Sequence, residues 1–467
     1  MALARETAGQ PYKTYLDGLP ECHANMAALK LKDTYVKEEA CIMTMPEELL
    51  CQIIELALLA SKLQGETPSY DKKTIMAVAY TCKRFNVIAI PFQYHSMNLT
   101  IANMTPPPPR FVGLLHLLQQ RPELAKRCRT LFVRCEEAEK REPSDYWYMQ
   151  QLFRLLTNVQ KLCILGGFNV EQTPELIGIC TQTMTQLERL TLLTDSIFSR
   201  LQGLVIQNLT QAMNSPSLRC LEASCVRDDG PADETESELA GTSNVTNITL
   251  KTMINRLGPI QKLAERCKSL KALTLACHVT QLDPDVLQGL LGKQLHNLEY
   301  LRLQCQVQQG GEDTIPDFSN YSALQCLALC RCHMGDDAQY DWNIGKAILA
   351  PKLWKFIWDM SNGMLGCQML SDFADEEENW VRSFAQQALE SGSQLKVIQI
   401  EFNPHPFGLV PGELPWDRME KLDEEFRPQG IAVTYTPSKP DWTRWHAAPI
   451  LRAPETSEIY FSRGFHE

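Results

Sequence analysis

The chain has 467 residues, 44% of them hydrophobic and 22% charged, with a formal net charge of -11. That length supports two or three packed units, and the composition is that of a globular chain. The acidic balance argues against a nucleic-acid partner, no apolar run is long enough to span a bilayer, and the opening MALARETAGQPYK lacks the apolar core of a secretory signal. The expected location is therefore the cytosol or nucleus, with no membrane partner. The seventeen cysteines read as reduced thiols in such a setting, not as a disulfide framework.

Residues 1–40 carry no sustained pattern and read as a partly disordered arm, with a short helix in the Ala24–Lys37 region. From Met45 to Leu99 the pattern becomes helical. Pro46 and the acids Glu47 and Glu48 suit a first turn, and Thr44 can cap it. Leu49, Leu50, Ile53, Ile54, Ala57 and Leu58 then recur at steps of three and four. The surplus of apolar surface requires burial on two sides. After a polar break at Gln64–Lys73, Ile75, Val78, Ala79, Cys82, Phe85 and Ile88 keep the same period, and Pro91 is expected to stop the run.

Fifty residues of this kind make too small a core to stand alone. They either cap the rest of the chain or dock another protein. The run Met-Pro-Glu-Glu-Leu-Leu-x-x-Ile-Ile, followed by Val-x-x-x-Cys-Lys-Arg-Phe-Asn-x-Ile-Ala, resembles an F-box. Met45 replaces the usual Leu, Phe85 stands where Trp is common, and the break between the helices is longer than in compact members. The resemblance implies docking onto a Skp-family adaptor and, through it, a cullin–RING ubiquitin ligase. It nominates Met45, Pro46, Leu49, Leu50, Ile53, Val78, Cys82 and Phe85 as adaptor-facing or core positions. An ordinary helical cap on the following domain would use the same apolar pattern.

Four prolines, Pro106–Pro109, mark a stiff boundary at residues 101–110. Beyond it one motif keeps returning: an apolar residue, another three positions later, a third two after that. It starts at Cys128, Val159, Leu187, Leu218, Leu270, Leu298, Leu324, Leu353 and Leu395, at intervals of 31, 28, 31, 52, 28, 26, 29 and 42 residues. Six of the eight intervals match one leucine-rich-repeat period, and the two long ones are read as insertions. The strand positions alternate, so the second and third motif residues face the core while their neighbours face outward. Helices are expected between strands, around Phe111–Leu118, Trp147–Leu156, Ile260–Leu263, Trp380–Leu389 and Trp416–Phe426, with a closing strand at Gly430–Tyr435. Cys135, Cys225, Cys277 and Cys305 recur two past the last strand position, where such repeats line the turn out of the strand, and are expected to be structural and buried. The arrangement resembles the repeat region that follows the F-box in many fungal F-box proteins, over residues 42–436.

The expected fold is therefore α/β. A small all-α F-box-like unit (41–100) precedes a leucine-rich-repeat-like solenoid (111–436) of nine or ten strand–helix repeats. An acidic insertion at Arg227–Asn244 interrupts the solenoid, and a tail or cap (437–467) follows it.

No nucleophile elbow, His-Glu-x-x-His, dinucleotide fingerprint or complete P-loop occurs. Gly289-Leu-Leu-Gly292-Lys293 has the wrong spacing for a phosphate loop and reads as a helix end. Cys326 and Cys330 would lie about 13 Å apart in a strand, too far to share one zinc ion without a bend, though Cys330, Cys332 and His333 come closer. The acids Asp336-Asp337 and Glu376-Glu377-Glu378 read as solvated turns. No catalytic residue, metal or cofactor is expected. What remains is recognition on the outward strand positions of the concave face. These are Phe132, Arg134, Lys161, Arg189, Glu222, Tyr300, Arg302, Gln304, Lys355 and Asp359, residue types enriched at protein interfaces. The first choices to contact a protein substrate are Phe132, Arg134, Arg189, Tyr300, Arg302 and Lys355. Arg134, Arg189 and Arg302 would suit a phosphate if they cluster. The expected role is a non-catalytic substrate receptor of a ubiquitin ligase, acting in ubiquitin-dependent degradation; the alternative is a non-ligase scaffold or interaction module.

Overall fold

The structure, a computed structural model, describes residues 45–60, 72–101, 109–135, 143–166, 173–193, 204–227, 241–252, 258–277, 316–334, 340–360, 368–404 and 414–439, with most of 288–305. The expected N-terminal arm, the centre of the Pro-rich boundary, residues 228–240 of the acidic insertion, Asp336-Asp337 and the tail beyond 439 lie outside the described residues. The chain forms two compact units, residues 1–64 and 65–467. The division falls inside the stretch that the sequence suggests as one helical body.

In the first unit, helix α1 spans Glu47–Ala60. The Pro46 carbonyl accepts its first bond, from the Leu50 N–H at 3.1 Å, and Glu47 and Glu48 place negative charge at the positive end of the helix dipole.

The second unit begins with α2 (Lys72–Thr81) and α3 (Lys83–His95). The run is not one helix, because Cys82 is extended between them (φ -162°, ψ 167°) and its Sγ accepts the Phe85 N–H at 3.4 Å as an N-cap. Nor does Pro91 end it. The helix runs on to His95 with Pro91 inside, because Ile88 and Ala89 are buried and Ile90 and Tyr94 pack on the core. That burial outweighs the lost backbone bond, worth about 3 kcal/mol in an exposed helix.

Strand β1 (Ser96–Ile101) then opens a sheet that, among the described residues, has thirteen parallel strands. Its successors are β2 (Thr130–Cys135), β3 (Lys161–Leu165), β4 (Arg189–Leu193), a two-residue β5 (Leu204–Val205), β6 (Cys220–Arg227) and β7 (Asn247–Thr252). They are followed by β8 (Ala272–Cys277), β9 (Tyr300–Cys305), β10 (Cys326–Cys330), β11 (Lys355–Asp359), β12 (Val397–Glu401) and β13 (Ala432–Thr436). Apart from β5, which pairs only with β6, the strands lie side by side in sequence order. Each strand meets only its neighbours in sequence, which is the organisation of a solenoid.

Helices fill the intervals: α4 (Pro109–Gln120), α5 (Pro122–Ala125), α6 (Pro143–Leu155), α7 (Thr173–Thr183), α8 (Ile206–Ala212), α9 (Gly258–Glu265), α10 (Trp342–Ile348), α11 (Asp375–Glu390) and α12 (Pro415–Phe426). Their apolar sides join the inward strand residues in one core. Leu131 and Val133, Leu190 and Leu192, Leu273 and Leu275, and Ile398 and Ile400 are all fully buried with Leu152, Leu209, Leu263 and Phe384. Each such Leu or Ile contributes about 1.5–3 kcal/mol.

The repeats are joined by a backbone device. The carbonyl just before one strand accepts the N–H groups of two successive residues at the start of the next. Arg129 O takes Gln160 and Lys161 (2.8 and 3.0 Å), Glu188 O takes Arg219 and Cys220 (2.8 and 2.9 Å), and Trp354 O takes Lys396 and Val397 (2.8 and 3.0 Å). Side chains repeat it: Asn158 donates to Lys126 O and Asn244 to Pro216 O, while Arg129 and Arg219 donate to the carbonyls of Asn158 and Asn244.

The 52-residue interval is not an insertion. It holds a further repeat, β7, whose Val245, Ile248 and Leu250 occupy the motif positions and are buried. The 42-residue interval does carry extra structure, with α11 reaching sixteen residues. Cys135 and Cys225 are both buried as expected, but neither is in a turn: Cys135 is the last residue of β2, and Cys225 sits differently. It lies inside β6 with φ +55°, where the register slips between Ser224 and Val226, so it is the extra residue of a β-bulge. The side chains of Cys277 and Cys305 lie outside the described residues.

Candidate interaction surfaces

On α1 the nominated residues separate by position. Leu50 is buried at 1% exposure, as is Ile54, whereas Leu49 and Ile53, four apart on one face, are each 45% exposed. Pro46 is exposed and Met45 half-buried. The nominated Val78 of α2, Cys82 between the helices and Phe85 of α3 are only partly exposed. The large apolar groups that reach water there are instead Met76, Tyr80 and Val87. Met76 and Tyr80 are also four apart, a spacing legible in the sequence, but the F-box pattern draws attention to the adjacent face.

The sheet has a helix-covered face and an open face. Strand register sets the open-face residues in rows. One runs Thr130, Lys161, Arg189, Cys220, Asn247, Ala272, Tyr300, Cys326, Lys355. A second runs through Phe132, Cys163, Thr191, Glu222 and on to Arg302.

The three arginines suggested as a phosphate site do not cluster. Arg134 is on β2, Arg189 on β4 and Arg302 on β9, which puts the outer two six strand spacings, about 29 Å, apart along the sheet. Arg302 is also already engaged. Its Nη2 donates to Asp359 Oδ2 at 2.7 Å and to Glu401 Oε2 at 2.5 Å, and Nη1 reaches Glu401 Oε1 at 3.3 Å. To reach Asp359 on β11 and Glu401 on β12 the guanidinium extends across β10, where the register partner of Arg302 is Ala328. Gln304 donates to Asp359 as well. Burial opposes the Arg302 charge, but the hydrogen bonds and charges of Glu401 and Asp359 outweigh it and hold its pKa above the usual value. Asp359, expected on the exposed ladder, is 4% exposed. The Tyr300 hydroxyl is shifted upward, chiefly by burial. Burial likewise pushes the Cys326 thiol up to about 11, so it stays a thiol at neutral pH.

The acidic run at Glu376–Glu378 is not a solvated turn. It belongs to the first turn of α11, where Glu377 is buried, accepts the Ala374 N–H at 2.9 Å and takes Arg331 Nη2 at 2.6 Å. Glu378 bridges Arg382 (2.6 Å) and Arg418 of α12 (2.7 Å).

Among the described residues no group of three metal-binding side chains occurs. His333 is buried with Nδ1 3.1 Å from the Cys330 carbonyl, and a carbonyl can only accept, so that nitrogen carries the proton. The Cys332 side chain lies outside the described residues, and Leu291 of the Gly289–Lys293 stretch is buried. No helix among the described residues is long and apolar enough to cross a membrane. No known protein family matches the chain, and no curated protein does.

Proposed function

We propose that the chain is a substrate receptor of a Skp–cullin–F-box ubiquitin ligase. Its N-terminal helices dock a Skp-family adaptor, and the open sheet face of a leucine-rich-repeat solenoid holds a protein substrate. In this reading the chain catalyses nothing. It raises the effective concentration of a substrate lysine near a charged conjugating enzyme. The observation that carries the reading is the exposed pair Leu49 and Ile53 on α1, two large apolar side chains on one face beside the buried Leu50 and Ile54. Apolar groups so placed favour a partner that removes them from water.

The test is a pull-down of the full chain with purified Skp adaptor, comparing wild type with L49D/I53D. Both positions face water, so the double variant should keep its thermal midpoint while losing the adaptor. A Leu50 variant would not serve, since that residue is buried. Binding that survives the double variant overturns the reading.

A second reading treats the helices as a cap and the protein as an interaction module with no ubiquitin role. It is favoured by the packing of Ile90 and Tyr94 of α3 on the core of the repeats. A wild-type chain that captures no adaptor supports it.

A further inference from the structure

The open face is electrically lopsided. Across β3 to β7 its strand positions present Lys161, Arg189 and Lys251 against a single carboxylate, Glu222, which already accepts a hydrogen bond from Thr191 at 3.4 Å. Across β9 to β12 the charges balance, Arg302 and Lys355 against Asp359 and Glu401, and Arg302 is bonded to both acids. A surplus of cations on one stretch stands out in a chain whose net charge is -11.

The placement is also unfavourable as it stands. Lys161 and Arg189 are register partners on adjacent strands, and like charges directly opposed destabilise a sheet. Neither they nor Lys251 forms an ion pair or side-chain hydrogen bond among the described residues. On the nearby rim, among the described residues, Arg129 and Arg219 donate to neutral oxygens of Asn158, Gln186, Pro216 and Asn244, with Glu188 between them.

We propose that the open face over β2–β7 binds an acidic segment of a partner protein, an extended peptide rich in Asp and Glu. The inference rests on the reading above that this face holds the substrate, and it names the substrate's chemistry. From β2 to β7 the sheet covers four strand spacings, about 19 Å. An extended peptide covers that with about six residues at some 3.3 Å each, so three carboxylates within six or seven residues match Lys161, Arg189 and Lys251. Phe132 at one side and Leu165 and Leu193 at the ends of β3 and β4 supply apolar contact. Nucleic acid fits less well, because single strands need a series of aromatic platforms and Phe132 is the one aromatic among these open-face positions.

The experiment is fluorescence anisotropy on the full chain with a labelled seven-residue peptide of alternating Glu and Asp. A Lys peptide and a labelled oligothymidine serve as comparators. The Glu/Asp peptide should bind, the Lys peptide should not, and raising salt from about 0.05 to 0.5 M should weaken binding. K161E/R189E should cut affinity about tenfold or more. K346E/K352E changes the net charge equally at exposed sites off this face and should leave binding unchanged. The proposal is overturned if the Glu/Asp peptide fails to bind wild type, if the two double variants weaken it alike, or if oligothymidine binds more tightly. A chain that binds the peptide but no Skp adaptor loses the ligase reading and keeps this one; the reverse result does the opposite.

Discussion

Arg302 shows how a single side chain changes meaning between sequence and structure. As a residue on an outward strand position it is a free cation; in the structure it is the centre of an ionic cluster with Asp359 and Glu401. Removing one partner of such a cluster leaves a buried charge uncompensated, which costs about 3–5 kcal/mol. R302M should therefore lower the urea midpoint by that order, while R302M/D359L should recover much of the loss because the stranded carboxylate goes with it. An R302M chain as stable as wild type would mean the cluster is solvated.

His333 makes a second prediction at this scale. Burial holds its pKa down at about 4, against 6.5 for a free imidazole. Between those values the unfolded chain binds a proton that the folded one does not. Stability from this group is thus complete above about pH 6.5 and is lost as pH falls toward 4. The loss between pH 7 and 5 is about 2 kcal/mol. Chemical denaturation at the two pH values should show it in wild type, and H333Q, which keeps a donor near Cys330 O, should not. Glu378 works lower on the scale. Burial raises its pKa, but the bonds from Arg382 and Arg418 overcome this and hold it below the usual carboxylate value. Its contribution is present above the ordinary value and is lost as pH falls through the depressed one.

At the scale of single elements, β7 is the informative strand. Its core residues are Val245 and Ile248 with Leu250, so β-branched residues fill two of three positions that a leucine count searches, and the acidic stretch before it masks the period. L250A should cost about 2–5 kcal/mol in thermal denaturation, as a core truncation does; an effect under about 0.5 kcal/mol would return the segment to the status of a surface insertion. Helix α11 is held differently. Trp380 meets four rings, Tyr340, Phe356, Trp358 and Phe384, at centroid distances of 5.5, 5.9, 4.6 and 5.2 Å. W380A should cost about 3–5 kcal/mol, and W380F distinctly less, since the indole N–H finds no acceptor among the described residues and its loss removes no bond.

For the whole molecule, the strands' sequential order makes stability a sum of neighbour contacts. Hydrogen exchange should therefore open the terminal strands β1 and β13 before β6–β9, which have a partner on each side. Uniform protection across the sheet would contradict a solenoid's graded stability.

Much of this was legible in the residues themselves. The alternation of apolar and polar positions fixes which side chains face the core, and the recurrence of the three-residue motif near one period specifies parallel strands in sequence order, because each unit can bury its apolar face only on the next. Helices at Phe111, Trp147, Trp380 and Trp416 followed from the same periodicity. Tertiary structure alone decided the remainder. Packing carried α3 through Pro91, since a helix tolerates a missing bond when its far end is buried. Strand register opposed Lys161 to Arg189 and kept Arg134 far from Arg302, because sequence spacing along the chain does not report distance across a sheet. Burial turned Asp359, Glu377 and Arg302 from surface charges into paired ones, because the energy of a charge depends on the partners that folding brings to it.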